Sequence, residues 1–552
     1  MKPACRIVVF VLASISVACA CAQAPAANTH HEISGIVVSA KSGEPLANTS
    51  ITAIQSSSRK AVTETLTDAA GRFRISDVAD GKYDLVASRK GYVTSSYQQH
   101  DGGINTAIVT GYGLTSTGIL FQLEPQARIY GTVQEDSGDP VPSAQLKLFQ
   151  RDIYRGTGRM LLVRGDTADS MGNFEIPGLS PGNYVFCVVG TPWYTLPKRS
   201  FPGIPPPAEK NGLARLDMLY APTCYPDTIN PGEAQPVTVV AGEQVPLNIT
   251  LHPVPAIHMS MSVPAMADGQ PIISSPQVNT DIFGTVQFIP AQVSYTRQDP
   301  NGPYTADIEL PPGQYELSFP GQNGDPGRHM NINTDAGSST LTMTAPDPDP
   351  TVTGTIQSES GGPLSGTSTV WLESRDSDAR HAASVNPDGT FTMQSVQPGV
   401  YRAAVSSNGY LLGIARLSAK GAQLRGHSLT VSGESFQLNI VVHQSNATLN
   451  GIVKRSETPA AGVFVLLVPT GAQQTGDRAM TNQSDSDGTF NFYRVPPGKY
   501  TVVAIEDGWK LDWARADTIK PFLAHGQEVR VEPQMREVNL KESLQAVPLN
   551  LQ

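Results

Sequence analysis

Apolar and polar residues alternate along short stretches of this chain, and turn-forming residues separate the stretches. Phe73 and Ile75, for example, alternate with Arg72 and Arg74. Successive side chains of a strand point to opposite faces, so the apolar pair faces a core and the arginines face water. A turn then leads into a second stretch of the same period, which begins at Tyr83. The pattern predicts two short antiparallel strands joined by a tight turn.

This hairpin pattern is present in four copies, each with a Gly, an aromatic residue, a second Gly and a Tyr at constant offsets. The recurring residues are Gly71, Phe73, Gly81 and Tyr83, then Gly172, Phe174, Gly182 and Tyr184, then Gly389, Phe391, Gly399 and Tyr401, and finally Gly488, Phe490, Gly498 and Tyr500. Glycine admits positive φ and proline fixes its own φ, so the Asp-Gly and Pro-Gly pairs are expected to reverse the chain. The aromatic residues are expected to fill four similar cores, with each Tyr hydroxyl bonded to nearby backbone.

A head motif, G-x-[VI], precedes each hairpin, with its glycine at Gly35, Gly131, Gly354 and Gly451. Together with a Gly-Pro turn, the head and hairpin motifs resemble the carboxypeptidase regulatory-like domain. The resemblance implies a transthyretin-like antiparallel sandwich of about seven strands. It implies no particular activity, because domains of this family serve as stalk, spacer and accessory modules in unrelated proteins.

The distance between the second and third head glycines is about twice the other distances. A divergent module is therefore predicted there, with its own turn and Tyr at Tyr315. The fold class predicted is all-β, with five tandem antiparallel β-sandwich modules. The boundaries are 1–22 for a signal peptide, 23–125 for module 1, 126–256 for module 2 with an insertion at about 190–240, 257–347 for a degenerate module 3, 348–445 for module 4 and 446–552 for module 5.

The N-terminus has the features of a secretory signal. A basic start precedes a short apolar run at 7–17, and an A-x-A cleavage site ends at Ala22. The protein is therefore expected to be exported, to the periplasm or the medium. The alternative is a lipid anchor on Cys19 or Cys21. No later run reaches the roughly 18 apolar residues of a membrane span, so no transmembrane segment is expected.

The sequence contains no pattern that predicts catalysis. A formal net charge of −10 argues against a nucleic acid partner. His525 and Glu528 match the H-x-x-E zinc motif, but no further His follows them. Asp485 and Asp487 are interpreted as a hairpin turn rather than a calcium loop, because one loop offers too few oxygen ligands. The sequence therefore predicts no catalytic residue, no metal site and no cofactor.

Aromatic residues that break the repeat are the binding candidates. Those in the insertion are Trp193, Tyr194, Tyr220 and Tyr225, and Trp509 and Trp513 form a second set near the last module. Exposed aromatics on loops over a rigid sheet suit the apolar faces of sugars, or peptides. The alternative is that they cover their own module.

The function predicted is that of an exported, non-catalytic multi-module protein that binds carbohydrate or an envelope protein, or acts as a scaffold. A second interpretation is an accessory region, or an enzyme with an unrecognised site in the module 2 insertion or in module 3. A third, an adhesin with intramolecular Lys–Asn bonds, needs a Lys early and an Asn late in each module. No such set recurs.

Two cysteines remain after residue 22, Cys187 and Cys224. Tyr184 and Phe186 share the core face of their strand, so Cys187 points away from the core. An oxidising compartment favours a disulfide between the two thiols, which would fasten the insertion over the outer face of module 2.

We expect alkylation of the purified, unreduced, denatured protein to modify neither Cys187 nor Cys224, and alkylation after reduction to modify both. The Cys187→Ser/Cys224→Ser protein is expected to lose at most roughly 4 kcal/mol of unfolding free energy, because the cross-link restricts the unfolded chain. Two free thiols in the native exported protein would contradict the prediction.

Overall fold

The structure is a computed structural model. It describes residues 30–550 except 101–102, 153–158, 195–217, 264–275, 297–298, 300–301, 321–326, 335–339, 345, 365, 376, 378, 427, 444–446, 471–478 and 514. The predicted signal peptide at 1–22, with Cys19 and Cys21, lies outside the described residues. The fold is all-β, as the sequence predicts, and consists mainly of antiparallel sheets. Among the described residues, no helix has the length and apolarity to cross a membrane.

Module 1 is a sandwich of two sheets. Its strands are β1 (His31–Ser39), β2 (Ser50–Gln55), β3 (Lys60–Leu66), β4 (Arg72–Val78), β5 (Gly81–Ser88), β6 (Ser95–Ser96), β7 (Ile108–Thr110) and β8 (Ile119–Leu123). One sheet has the order β4-β1-β8, and the other has the order β3-β2-β5-β6, with β7 also on β5. The alternating apolar residues meet between the sheets, where Phe73, Tyr83 and Phe121 are buried.

Module 2 repeats this plan with extra strands from the insertion. Its strands are β9 (Ala127–Glu135), β10 (Gln145–Arg151), β11 (Met160–Thr167), β12 (Asn173–Leu179), β13 (Gly182–Val189), β14 (Met218–Tyr220), β15 (Thr223–Cys224), β16 (Val237–Val239), β17 (Gln244–Pro246), β18 (Ile249–Leu251) and β19 (Pro253–Pro255). The sheets have the orders β12-β9-β17, with β18 also on β9, and β11-β10-β13-β15, with β16 also on β13. Strands β14 and β19 form a separate pair.

Module 3 forms two four-stranded sheets although it lacks the regular motifs. Its strands are β20 (Ile257–Val263), β21 (Gln277–Ile282), β22 (Thr285–Ile289), β23 (Gln292–Thr296), β24 (Tyr304–Leu310), β25 (Gln314–Phe319), β26 (Arg328–Asn333) and β27 (Thr340–Thr344). The sheet orders are β23-β24-β20-β27 and β22-β21-β25-β26. Tyr315, Leu317 and Phe319 point inward from β25 into the core.

Module 4 is again a sandwich of two sheets, whereas the described strands of module 5 are hydrogen-bonded into one nine-stranded sheet. Module 4 contains β28 (Val352–Ser358), β29 (Ser368–Ser374), β30 (Arg380–Ser384), β31 (Thr390–Met393), β32 (Gly399–Ser407), β33 (Tyr410–Leu412), β34 (Ile414–Lys420), β35 (Gln423–Arg425), β36 (Ser428–Val431) and β37 (Phe436–Val442). Module 5 contains β38 (Ala447–Arg455), β39 (Thr458–Pro459), β40 (Phe464–Pro469), β41 (Met480–Gln483), β42 (Thr489–Val495), β43 (Gly498–Ile505), β44 (Gln527–Val531), β45 (Glu537–Asn539) and β46 (Leu544–Val547). A helix, α1 (Ala516–Leu523), lies between β43 and β44.

The repeated Tyr residues are buried and pin the turn that precedes their strand. In modules 1, 2, 4 and 5 the hydroxyl donates to the carbonyl oxygen four residues earlier. These bonds run from Tyr83 to Ala79 (3.1 Å), from Tyr184 to Ser180 (2.7 Å), from Tyr401 to Gln397 (2.9 Å) and from Tyr500 to Pro496 (2.8 Å). Each ring therefore fills the core while its polar end is satisfied, which avoids the cost of an unpaired buried hydroxyl.

The two glycines of the hairpin motif have different roles. Gly71 has a φ of +72°, and a Cβ there would lie 2.6 Å from the carbonyl oxygen of Val37. The expectation that the second glycine also needs positive φ is wrong for Gly182, Gly399 and Gly498, which begin β13, β32 and β43. At Gly399 a Cβ would instead lie 3.3 Å from the ring of its own Tyr. The second glycine leaves room for the Tyr that pins the turn.

The modules do not form an open string, because module 1 packs against module 5. The backbone N–H of Ser486 donates to the carbonyl of Ala107 (2.9 Å), and the N–H of Val109 donates to Ser486 Oγ (2.8 Å). The Lys82 ammonium contacts the carboxylate of Asp485. Burial raises the pKa of Asp485, while Lys82 opposes that shift. The first and last modules are therefore joined by partly buried polar contacts.

Trp509 and Trp513 lie in this packing and not on a binding surface. They are only 6% and 3% exposed, in an apolar cluster with Phe522 of α1. The ring of His100 in module 1 stacks on Trp509 with the centroids 4.6 Å apart. The expectation that these residues could stack on a ligand is wrong, since the outer face of β40 and β43 is apolar and the two Trp residues cover it.

The variant Asp485→Arg is expected to separate module 1 from module 5. It places a second cation against Lys82 in a partly buried contact, and the loss of such a pair costs on the order of 3 kcal/mol. Small-angle X-ray scattering should show a larger maximum dimension for the variant. The control is Asn386→Arg, at the same turn position in module 4, where the side chain is exposed. A scattering curve unchanged by Asp485→Arg would contradict the closed arrangement.

Candidate functional site

The four aromatic candidates of the insertion do not form one exposed surface. Tyr220 is buried, and its hydroxyl donates to Glu135 Oε2 (2.6 Å). Burial and this bond to the carboxylate raise the pKa of Tyr220. Tyr194 reaches the same oxygen at 3.4 Å, and Tyr225 packs against the module core. Trp193 is 62% exposed. Tyr220 and Tyr194 supply hydrogen-bond donors to the buried Glu135 carboxylate, which would otherwise be costly to bury.

The end of the insertion joins the sheet as an edge strand. Cys187 in β13 lies opposite Cys224 in β15, and the structure places a disulfide between them. The outer face around Cys187 is covered by Ile282 and Phe283 of module 3 as well as by Ala234 of the insertion. The insertion therefore shares the cover of this face with module 3. The oxidation state in the native protein stays a prediction.

A cleft of about 750 Å³ lies between modules 3 and 4. Its floor is the outer face of the sheet β22-β21-β25-β26. Alternate residues of β25 enter the core, and those between them face the cleft. The polar residues on this floor include Asn279, Gln314, Glu316, Ser318, His329 and Asn331. The sequence of module 3 thus builds a sheet with an apolar inner face and a hydrogen-bonding outer face.

Two other modules differ at the corresponding face. In module 2 the outer face of β10 and β13 carries Phe149 and Cys187, which module 3 covers. In module 5 the outer face of β40 and β43 carries Leu466 and Val503, which pack with the residues of α1. These faces are apolar and closed. The packing of the modules therefore does not require the outer face of module 3 to be polar.

The opposite wall of the cleft comes from module 4. Gln397 Nε2 donates to Glu316 Oε1 across the cleft (3.2 Å). His381 packs edge-on against Tyr401, with the ring centroids 5.6 Å apart. Burial lowers the pKa of His381. A neutral imidazole offers one donor and one acceptor nitrogen. The guanidinium of Arg380 lies over the Trp371 ring, with Cζ 4.1 Å from the ring centre.

Ser318, His329 and Asp349 are connected in the cleft. Ser318 and His329 are paired across β25 and β26, and Ser318 Oγ lies 2.9 Å from His329 Nε2. The other ring nitrogen, Nδ1, contacts the carboxylate of Asp349. The backbone N–H of Asp349 donates to the carbonyl of Gly327 (2.8 Å), which ties the linker to the start of β26. The side chain of Asp349 is 4% exposed and that of His329 is 16% exposed.

The sequence did not reveal this connection. The alternating residues after the turn before Tyr315 place Ser318 on an outer face. The partner strand around His329 has no repeat motif, and Asp349 lies in a linker. Only the pairing register of β25 and β26 would have placed His329 opposite Ser318. Within the described part of the chain, no group of three or more His, Cys, Asp or Glu side chains is placed to hold a metal ion.

Several solved structures resemble this chain over part of its length. One is the Bacillus anthracis TIE protein, with 10% identity, 76% of each chain covered and a TM-score of 0.17. A second is BcpA, the major pilin subunit of Bacillus cereus, with 10% identity, 75% of this chain and 100% of that chain covered, and a TM-score of 0.15. A third is GBS52, a minor pilin of Streptococcus agalactiae, with 14% identity, 37% and 98% covered, and a TM-score of 0.19.

Family models match three regions of the chain, and no curated protein sequence matches it. The carboxypeptidase regulatory-like domain matches residues 32–110 and 351–437. The second β-sandwich domain of the BOS complex subunit NOMO1-like family matches residues 448–520. These regions lie in modules 1, 4 and 5, and each carries the repeat motif. The protein is thus a β-sandwich repeat protein with two regions that match the carboxypeptidase regulatory-like domain.

Proposed function

We propose that this protein is an exported binding protein of the cell envelope, and that the cleft between modules 3 and 4 binds carbohydrate. The observation that carries the proposal is the polar outer face of module 3. Its amide, carboxylate and imidazole groups stand on a rigid sheet and face a second wall from module 4. Binding sites characteristically gather such groups in a preformed concave surface.

The chemistry of the lining favours a hydroxyl-rich ligand. Asn279 and Asn331 each offer an amide donor and acceptor, and both pair in register with Glu316 on the strand between them. A sugar hydroxyl both donates and accepts, so paired groups of this kind can satisfy it. An apolar peptide would leave these polar groups unpaired at a cost of roughly 1–3 kcal/mol each.

Export is supported by the signal-like N-terminus, and a nucleic acid ligand is disfavoured by the net charge of −10. The repeat itself supports a scaffold role for the other modules. Their regular residues close cores and pin turns, and the outer faces of β10 and β13 in module 2 and of β40 and β43 in module 5 are covered. The proposed ligand site has its floor in module 3, where the repeat is broken, and one wall in module 4.

A glycan array probed with the full-length mature protein tests the proposal. We expect the wild type to bind at least one glycan class. The variant Asn279→Ala/Asn331→Ala is expected to bind that class about tenfold or more weakly, because it loses hydrogen bonds worth roughly 1 kcal/mol each. Both side chains face outward from the sheet, so the fold should be retained.

The matched control is Trp193→Ala, which removes the exposed aromatic of the insertion. Unchanged binding by Trp193→Ala, together with weakened binding by the double variant, supports the cleft. The reverse result would place the site in the insertion. The absence of binding by a correctly folded wild type would leave the protein a spacer and overturn the proposal.

A further inference from the structure

The Ser318–His329–Asp349 connection has a use beyond binding. We propose that Ser318 is the nucleophile of an ester-hydrolysing site in the cleft, with His329 as its general base and Asp349 as the residue that positions His329. Three side chains in this order, each hydrogen-bonded to the next, recur in hydrolases on unrelated folds. Such a set is recognised by geometry, since neither sequence order nor a turn motif is shared.

The atoms are assigned as general base catalysis requires. Nδ1 of His329 faces the buried Asp349 carboxylate, so Nδ1 carries the proton and Nε2 has the free lone pair. Nε2 lies 2.9 Å from Ser318 Oγ, within reach of its proton. Ser318 lines the cleft, so its hydroxyl is open to a ligand. His329 and Asp349 lie behind it, where the lower exposure strengthens their interaction.

The reaction consumes one ester and one water. Ser318 Oγ bonds to the acyl carbon as its proton passes to His329 Nε2. The bond between the acyl carbon and the alcohol oxygen then breaks, and the imidazolium returns the proton to the departing alcohol. Water attacks the acyl-serine in the same way, giving a carboxylic acid and restoring Ser318. Asn279 and Asn331 flank Glu316, which lies two residues before Ser318 on the same face of β25, and they supply amide N–H groups on the same floor.

The lining also indicates the substrate class. The alcohol part of the ester would face the polar floor, which suits an O-acylated carbohydrate. This choice of alcohol rests on the proposed function, while the nucleophile does not. This reaction corresponds to the second interpretation of the sequence, that of an enzyme with its site in module 3.

Two probes of the full-length mature protein test the nucleophile. A fluorophosphonate should add one mass label, located on Ser318 by peptide mapping, and 4-nitrophenyl acetate should be hydrolysed. Ser318→Ala should abolish the label and lower turnover by roughly 10³-fold. Asp349→Asn should lower kcat without raising KM, because the wrong tautomer then faces Ser318. The control is Ser260→Ala, since Ser260 Oγ bonds to a carboxylate, Asp307, on the other sheet (2.6 Å).

A folded wild type that takes no label, or a label that persists in Ser318→Ala, would refute the nucleophile. Equal labelling of wild type and Asp349→Asn would show that the His329–Asp349 pair serves packing alone. Acetate release from acetylated xylan tests the substrate class separately. Cleavage of 4-nitrophenyl acetate without glycan binding would overturn the proposed function and leave the nucleophile standing. Glycan binding without labelling would do the opposite.

Discussion

In modules 1, 2 and 4 the first strand runs parallel to the closing strand, and this pairing depends on the absence of a side chain at the head glycine. A Cβ on Gly131 would overlap the carbonyl oxygen of Leu247, and one on Gly354 would overlap that of Leu438. The head glycine therefore sets how closely the closing strand can approach. In module 3, β20 and β27 also pair in parallel, from His258 opposite Thr340 to Ser262 opposite Thr344, but β20 contains no glycine. Module 3 therefore closes without a head glycine.

The closed arrangement of modules explains where a site can form. The outer face of module 2 is covered by Ile282 and Phe283, and the corresponding face of module 5 is covered by Trp509 and α1. Module 3 uses a turn between β21 and β22 to cover module 2, while its own outer face turns toward module 4. That face is polar, so the approach of module 4 leaves a cleft and not a core. The cleft therefore results from the polar side chains on the outer face of module 3, where the similar sheets of modules 2 and 5 carry apolar side chains.

The sequence predicted the strands, turns and core residues, because these depend on the local alternation of apolar residues and on turn-forming residues. Phe73 and Tyr83, and their counterparts, could be placed in the cores because strand and turn were both visible in one segment. Contacts between distant segments left no such signal. Trp509 could not be placed against His100 without knowing that module 5 returns to module 1. Ser318 could be placed on an outer face. Its pairing with His329 depends on the register of β25 and β26, which no sequence motif in β26 predicts.

Packing alone could account for part of the Ser318–His329–Asp349 connection. Asp349 is buried where modules 3 and 4 meet, and a buried carboxylate is costly unless a donor pairs with it. His329 meets that need whether or not any reaction takes place, so the pair by itself says little about function. Ser318 differs, because its hydroxyl faces a cleft where it could bond to water. Module 3 supplies Ser318 and His329, and the linker to module 4 supplies Asp349, so the set spans the junction of the two modules. A site assembled in this way ties any chemistry of Ser318 to the closed arrangement of the whole chain.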